Sequence, residues 1–280
     1  MAINNKMSAI VLGLAAIAGF SLAPSSANAQ SADRERGAIL LGTFITNRNT
    51  DARVDSNSGN PGTDVDLENE LGLQSSTSVM RAGGYFWLSR RQRLDVSYFD
   101  LSRSASRKID ETINFDDKTF QINTVVSTEN SLTITKLDYT FAFLTRDNWF
   151  LGVTGGLYVA RTGLSLSEPT HGTFSSESLT APLPVVGLRG EYGINDHWTL
   201  RGAFQWFGIT VDNISGHLTD TYAGVDYGFG KRFAVGLAYD KVGMGVEASK
   251  QGKLNGSLDW GYDGWLLYFK ADFGGGVSKR

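Results

Sequence analysis

Few side chains in this 280-residue sequence have the type and spacing that chemistry requires. Asp64 and Asp66 form a D-x-D pair, and two neighbouring carboxylates can divide general acid and base work between them. The sequence has no cysteine, which excludes a thiolate metal ligand, a cysteine nucleophile and a disulfide framework. Three histidines complete the set of candidates: His171, His197 and His217.

None of these candidates forms a recognisable site. A zinc site needs three or four converging ligands, and no two of the histidines have the spacing of ligands on one helix or hairpin. Ser215 and His217 would share one face of a strand, but a nucleophile and its base also need a third group that orients the base. We therefore predict no catalytic, cofactor-binding or metal site.

The acidic pair has a simpler interpretation in its sequence context. Asp64, Asp66, Glu68 and Glu70 would form the wet face of an extended segment. The other face of that segment would carry the apolar residues Val65, Leu67, Leu71 and Leu73. A short helix that ends at Gly72 is the alternative.

Composition excludes several classes of protein. The net charge is −3, 41% of the residues are hydrophobic and 11% are aromatic, so the sequence is not that of a disordered chain. It has no basic patch typical of nucleic-acid binding. A single domain of about 250 residues is an ordinary size for an all-β barrel or sandwich.

The first 29 residues have the pattern of a secretory signal peptide. Lys6 supplies the positive charge, Ile10–Phe20 is an uncharged apolar run, and Ala27–Ala29 is an A-x-A cleavage pattern. The apolar run is shorter than the ~20 residues that a membrane helix needs. We expect residues 1–29 to be removed and residues 30–280 to form one domain.

Apolar and polar residues alternate throughout the exported part. The pattern is clear in Thr133–Phe143, Trp198–Trp206 and Phe233–Tyr239. A period of two predicts β-strands, and no segment after residue 29 has the spacing of an amphipathic helix over a useful length. Ten strands are predicted, approximately at 37–48, 76–89, 93–108, 124–144, 149–166, 182–194, 198–211, 217–229, 232–246 and 257–273.

Short and long connections alternate along these strands. The short ones are Ser89–Arg93, Thr145–Asn148, Asn195–His197 and Gly230–Arg232, and aromatic residues flank each of them. The long ones are polar: Thr46–Ser76, Ile109–Asn123, Ser167–Ala181, Asp212–His217 and Glu247–Gly256. Pro61, Pro169, Pro182 and Pro184 fall in or beside long connections, because proline cannot donate to a central ladder.

This organisation favours an all-β, antiparallel up-and-down transmembrane β-barrel with about ten strands. A soluble barrel or sandwich, with its apolar face inside, is the alternative. The residues on the polar side of each strand would line the lumen, and they include five cations and five anions. These are Arg81, Asp95, Lys136, Asp138, Arg189, Glu191, Arg201, Asp226, Asp240 and Lys270. A balanced set predicts ion pairs that fill the lumen rather than a selective pore.

The C-terminal segment Tyr262–Phe269 (YDGWLLYF) resembles the assembly signal of outer-membrane proteins, with Leu267 and Phe269 at alternating positions. The chain after residue 29 resembles the small outer-membrane β-barrel superfamily, alongside the OmpA-type and OmpW-type barrels. Asp64–Leu73 (DVDLENELGL), followed by Arg90–Tyr98 (RRQRLDVSY), resembles a pattern in proteobacterial members. The resemblance implies a Gram-negative outer-membrane location and an architecture, not an activity.

The resemblance implies contact with outer-membrane lipids and lipopolysaccharide, and with the barrel-assembly machinery through the last strand. It implies no nucleic-acid partner and no cofactor, and it does not identify a ligand of the outer loops. We expect a structural, adhesive or narrow-channel role, and no enzyme activity.

An envelope enzyme on a barrel scaffold is the alternative function. Omptin proteases are ten-stranded barrels with paired extracellular acids, which Asp64 and Asp66 resemble. An omptin also needs a D-x-H pair, and the nearest feature, Asp212 and His217 with Asp220 beyond, has different spacing. Lipid-modifying hydrolases are the other possibility, through Ser215 and His217.

Overall fold

The protein is described by a computed structural model that covers residues 35–55, 62–211, 214–230, 232–250 and 254–274. The expected signal peptide lies outside the described residues. The strands are β1 (Gly37–Val54), β2 (Val65–Asp66), β3 (Ser76–Ser89), β4 (Gln92–Asp100), β5 (Arg103–Lys108), β6 (Ile113–Phe115), β7 (Lys118–Phe120), β8 (Val125–Thr145), β9 (Trp149–Glu168), β10 (Thr173–Gly193), β11 (Trp198–Val211), β12 (Ile214–Phe229), β13 (Phe233–Lys250) and β14 (Leu254–Phe273).

Ten antiparallel strands form a closed wall. Each pairs with its neighbour in chain order, with β4 and β5 acting as one interrupted strand beside β8. The first and last strands pair from Gly37↔Phe273 to Val54↔Gly256, which closes the barrel. The predicted fold class, strand number and up-and-down order are confirmed. No helix in the described part of the chain is long and apolar enough to cross a membrane.

The outer surface of the wall is an apolar belt. Side chains alternate in direction along each strand, so every second residue points outward. Leu200 and Val235 point outward and are 45% and 43% exposed. Other members of the belt are Ile39, Leu41, Ile45, Met80, Val96, Leu137, Val153, Leu157, Val186, Leu188, Phe204, Leu237 and Leu267. A continuous apolar exterior on a closed barrel is the surface that lipid requires. The protein is therefore an integral protein of the bacterial outer membrane.

Aromatic residues gather near the short turns at the end of the barrel where β1 begins. Trp198 packs on Tyr227 with 4.9 Å between ring centroids, and Phe233 packs on Phe269 at 5.5 Å. Outer-membrane barrels have aromatic girdles at both interfaces, with short turns on the periplasmic side and longer loops outside. The short turns therefore mark this end as the periplasmic side, and the long connections lie on the opposite, extracellular side.

All five predicted long connections are partly strand: β1 continues to Val54, β6 and β7 lie in the second connection, β10 begins at Thr173, β12 begins at Ile214, and β13 and β14 extend into the last connection. The predicted strand 182–194 therefore begins too late, and Pro182 and Pro184 lie in the interior of β10 rather than at its start. Proline is tolerated there because it lies at a strand edge that has no ladder to donate to.

Glycine relieves crowding in this narrow lumen. A Cβ on Gly236 would collide with the ring of Tyr268, and one on Gly156 would collide with the carboxylate of Asp138. Both glycines lie on the inward parity, so their absent side chains make room for the larger ones.

The in/out assignment can be tested at mid-depth of the belt. Leu200→Arg and Val235→Arg should each lower the free energy of folding into lipid vesicles by roughly 2–4 kcal/mol, because each places a cation in hydrocarbon. Ser104→Arg, at an exposed position that pairs in register with Glu129 beyond the belt, is the matched control and should change it little. Equal folding yields and denaturant midpoints for all three variants would contradict the assignment.

Candidate functional site

The inward parity of the wall carries a network of paired charges across the middle of the lumen. All ten residues predicted to line the lumen lie there, and every one of them takes part in an ion pair. Since a buried charge is tolerated only when it is paired and hydrogen-bonded, these contacts determine whether the lumen is filled or open.

The first group of charges joins β3, β8, β12 and β13. The Lys136 ammonium lies 2.7 Å from a carboxylate oxygen of Asp220 and 3.8 Å from one of Asp240. The Arg81 guanidinium donates to Asp240, whose side chain is fully buried. Lys136 also lies 4.5 Å from the centre of the Tyr158 ring, so an aromatic face supports a cation removed from water.

The second group links β8 to β10 and β11. Arg189 donates to Asp138 at 2.9 Å, and Gln205 donates its amide to the other oxygen of Asp138, also at 2.9 Å. The hydroxyl of Tyr158 donates to the Gln205 carbonyl at 3.3 Å. Asp138 thus has partners on both of its oxygens.

Arg93 of β4 is the most enclosed cation of the network, with its side chain 2% exposed. It donates to Asp95 at 2.6 Å and to Glu191 at 2.6 Å. Its guanidinium also lies 3.8 Å from the centre of the Tyr85 ring. Two carboxylates from different strands therefore depend on one guanidinium, whose planar fork suits such bridging.

The fourth group joins β11, β12 and β14. Arg201 pairs with Asp226 at 2.8 Å, and Lys270 lies 3.7 Å from Asp226 and 3.1 Å from Asp272. The hydroxyl of Tyr268 donates to Asp226 as well. Between the groups there remains a cavity of about 110 Å³, and its lining includes charged side chains already described.

Three charged members of the network were missed from the sequence. Arg93 was placed where a short turn meets the next strand and was not counted among the lumen charges, although it is the second residue of β4. Asp220 points inward like Asp226 on β12, and Asp272 points inward like Lys270 on β14, so alternation alone could have identified both.

Apolar layers lie on both sides of the charged network. Toward the periplasm, Trp87 packs on Phe150 with 5.0 Å between ring centroids. Toward the outside, Phe44, Phe99 and Tyr262 pack edge to face. The outer layer continues with Leu101, Leu132, Ile134, Leu183, Val185, Leu218, Val242, Met244, Trp260 and Leu266.

A folded cap covers the extracellular mouth. We define it as residues 62–75 together with residues 109–124, which include the β6–β7 hairpin. Their buried apolar side chains pack on one another and on the upper wall: Val65, Leu67, Leu71, Leu73, Ile109, Ile113, Phe115 and Phe120, with Ala52, Val126 and Leu166. The predicted apolar face of the 64–73 segment is thus buried, as its alternation indicated.

The acidic side chains of the cap have structural partners. Asp66 accepts hydrogen bonds from the backbone amides of Glu68 and Asn69 at 2.9 and 2.7 Å. Glu68 lies 2.5 Å from Arg103 of β5. These contacts fix the turn of the cap, and residues 67–70 form a turn that ends before Gly72, whose φ is +73°.

The remaining candidates do not converge. His171 contacts Glu168 at 2.8 Å at the outer β9–β10 turn, His197 lies in a periplasmic turn, and Ser215 and His217 lie on the outward parity of β12. The cap strand β2 pairs with β1, so β14 and β13 separate it from β12. Asp212 lies outside the described residues. Within the described ranges, no three His, Asp or Glu side chains form a group that could hold a metal ion.

Comparison with a solved structure supports the barrel fold. No protein-family model matches the sequence, and no curated protein matches it. The outer membrane protease OmpT from Escherichia coli matches with a TM-score of 0.53 and 12% identity, over 85% of this chain and 96% of that chain. Ail, the attachment invasion locus protein of Yersinia pestis, matches at 0.37 and 9% identity, over 85% and 97%. The toluene transporter TodX of Pseudomonas putida matches at 0.32 and 8%, over 86% and 90%.

The role of Arg93 can be tested by truncation. Arg93→Ala should lower the free energy of unfolding in detergent micelles by about 3–5 kcal/mol, because Asp95 and Glu191 then lose a buried counter-charge. Arg91→Ala removes an exposed guanidinium from the adjacent turn and should change it by less than about 0.5 kcal/mol. Equal denaturant midpoints for both variants would show that the network does not depend on Arg93.

The cap can be tested by protease sensitivity. Leu71→Asp places a charge in its buried apolar cluster, and we expect rapid trypsin cleavage at Lys108 or Lys118 while the barrel stays folded. Gln121→Asp, an exposed position of the cap, is the control and should leave the cleavage rate unchanged. Resistance of Leu71→Asp to trypsin would contradict the packing of the cap.

Proposed function

We propose that this protein is a non-conducting outer-membrane barrel that anchors a folded cap at the cell surface, with a structural or adhesive role. The observation that carries the proposal is the filled lumen. A periplasmic aromatic layer, the paired charges, an outer apolar layer and the cap follow one another along the barrel axis. Small barrels are filled by side chains in this manner, whereas open aqueous channels belong to much wider ones.

A narrow-channel role is the second structural possibility, and the central cavity favours it. Its volume of about 110 Å³ corresponds to about three or four water molecules at their share of liquid volume. Charges of both signs line it in near-equal number, so a passage through it would select weakly between cations and anions. Conductance separates this role from the structural one.

The enzyme hypothesis has less support. The likeness to OmpT concerns the fold, and the chain lacks a convergent set of acids and histidine in its described part. Asp66 and Glu68 are engaged in the turn of the cap. His217 lies on a different part of the wall. We therefore propose that the protein is not an enzyme.

The surroundings of the barrel follow from its location. We propose that the belt contacts outer-membrane lipids and lipopolysaccharide. We also propose that β14, which ends the barrel with Leu267 and Phe269 facing outward, presents the assembly signal to the barrel-assembly machinery. The chain resembles OmpA-type and OmpW-type barrels in this respect. The cap is the surface on which an adhesive ligand would bind.

Planar-bilayer recordings test the filled lumen. The parent should be closed, or should open in small and weakly selective steps. Arg189→Ala with Arg201→Ala removes two long cations from neighbouring strands while the carboxylates stay, so this variant should conduct more and prefer cations.

The loss of these partners should also lower stability by several kcal/mol. Arg90→Ala with Arg91→Ala removes the same charge from an exposed periplasmic turn and should behave as the parent does. Large, strongly ion-selective openings in the parent would overturn the proposal in favour of a porin.

A further inference from the structure

The wall is incompletely paired at one place, between β10 and β11. Their ladder ends at Val186↔Trp206. Beyond it, residues 173–185 of β10 pair only with β9, and residues 207–211 of β11 pair only with β12. Two strand edges therefore face each other without a ladder. We call this place the β10–β11 gap.

The two prolines of β10 lie on the open edge of this gap. The amide of Gly193 donates to Asn148, on the β9 side, and the amide of Ile194 donates to Trp198, on the β11 side. Amides of even-numbered residues in β10 therefore point toward β11, because direction alternates along a strand. Pro182 and Pro184 are even-numbered, and proline has no N–H. The sequence has thus removed two donors from the edge where pairing would otherwise continue.

The wall has a second interruption, between β3 and β5, and this one is covered. Residues 76–80 of β3 pair only with β1, and β5 pairs only with β8. Here Arg103 donates to the carbonyl of Gln74 at 2.8 Å, and Arg107 donates to that of Asn69. The cap segment therefore covers this place. At the β10–β11 gap, β7 of the cap hairpin lies close to β10, but the open edge itself has lost two donors at Pro182 and Pro184.

The inner side of the gap is apolar. Leu183 and Val185 of β10 are buried in the outer apolar layer, and Phe207 of β11 packs against it. Ile209 has the same inward parity as Gln205, yet it is 41% exposed whereas Gln205 is 2% exposed. An inward aliphatic side chain with this exposure shows that space remains beside it.

The outer side of the gap adjoins lipid. Val186 is 60% exposed and Trp206 is 51% exposed at the lower end of the gap, where both belong to the apolar belt. On the neighbouring strand, Arg161 is exposed and pairs in register with Thr180 of the open edge. It lies on the same outward side of β9 as the belt residue Leu157, four positions closer to the extracellular end of the strand.

We propose that the β10–β11 gap is a lipid-binding slot, in which one acyl chain of an anionic outer-leaflet lipid enters sideways and contacts the outer apolar layer. Arg161 binds the phosphate of the same lipid, since guanidinium groups suit phosphate. The slot opens to the side of the barrel, so the proposal is independent of conduction along the axis. The proposal also gives Pro182 and Pro184 a role, because a fully paired wall would have no use for residues that lack an N–H.

The absence of cysteine permits specific labelling. Ile209→Cys and Val79→Cys would each carry a bimane fluorophore on a lumen-facing position, one beside the open gap and one beside the covered interruption. Ile45→Cys, on the belt, is the fully lipid-exposed reference. Each protein is refolded in phosphatidylcholine vesicles containing phosphatidylglycerol with a nitroxide on its acyl chain.

We expect strong quenching at position 45, intermediate quenching at 209 and little at 79. Adding Pro182→Thr and Pro184→Val restores two donors, so the ladder should extend and quenching at 209 should fall to the level at 79. Pro184→Val alone restores one donor and should have a smaller effect in the same direction.

The headgroup contact is tested separately. Arg161→Gln should reduce the preference for quenching by labelled phosphatidylglycerol over labelled phosphatidylcholine by about two- to fivefold, as expected for one exposed ionic contact. Lys241→Gln, on the outward parity of β13, is the control and should leave that preference unchanged.

Two results would overturn the slot. One is quenching at 209 that is no greater than at 79. The other is quenching at 209 that is unaffected by both proline replacements. If instead the preference for phosphatidylglycerol survives Arg161→Gln, the assignment of Arg161 to the phosphate is wrong.

Discussion

The requirement that backbone groups be hydrogen-bonded inside lipid governs this structure. Each unpaired N–H or C=O in hydrocarbon costs several kcal/mol, so a sheet in a membrane must close on itself. The full pairing of β1 with β14 meets this requirement. Its limits are visible at the β10–β11 gap, where the ladder stops within the belt at Val186 and Trp206. There Pro182 and Pro184 remove donors that would otherwise need partners.

Closure with only ten strands then determines the interior. Side chains from every strand point into a narrow space, where a charge without a partner would cost several kcal/mol. The lumen meets this condition with shared partners, as where Arg93 serves both Asp95 and Glu191. Such sharing joins strands that are distant in sequence. The charged network therefore fixes the cross-section of the barrel and also fills its lumen.

Alternation along the sequence was sufficient for the wall and for the direction of its side chains, because a period of two is the geometry of a strand. It identified the ten lumen charges, but not which of them pair, since partners such as Lys136 and Asp220 lie 84 residues apart. The packing of the cap could not be predicted beyond the apolar face of residues 64–73. The hairpin β6–β7 is too short to show a period, and its buried side chains pack on residues distant in sequence. The start of β10 was placed too late, at Pro182 instead of Thr173, because the sequence does not show which strand edge lacks a partner and therefore tolerates proline.

The two interruptions of the wall show how the outer face is divided. Where β3 and β5 separate, Arg103 and Arg107 tie the cap to the rim, so a polar interruption is closed by polar contacts. Where β10 and β11 separate, the lining is apolar and cannot be closed in that way. A polar cap segment would have to leave its own backbone groups unpaired against Leu183 and Phe207, which is unfavourable. A lipid acyl chain has no backbone groups that need partners, and the membrane beside Val186 and Trp206 supplies such acyl chains. The chemistry of the lining therefore favours lipid over protein as the occupant of the slot.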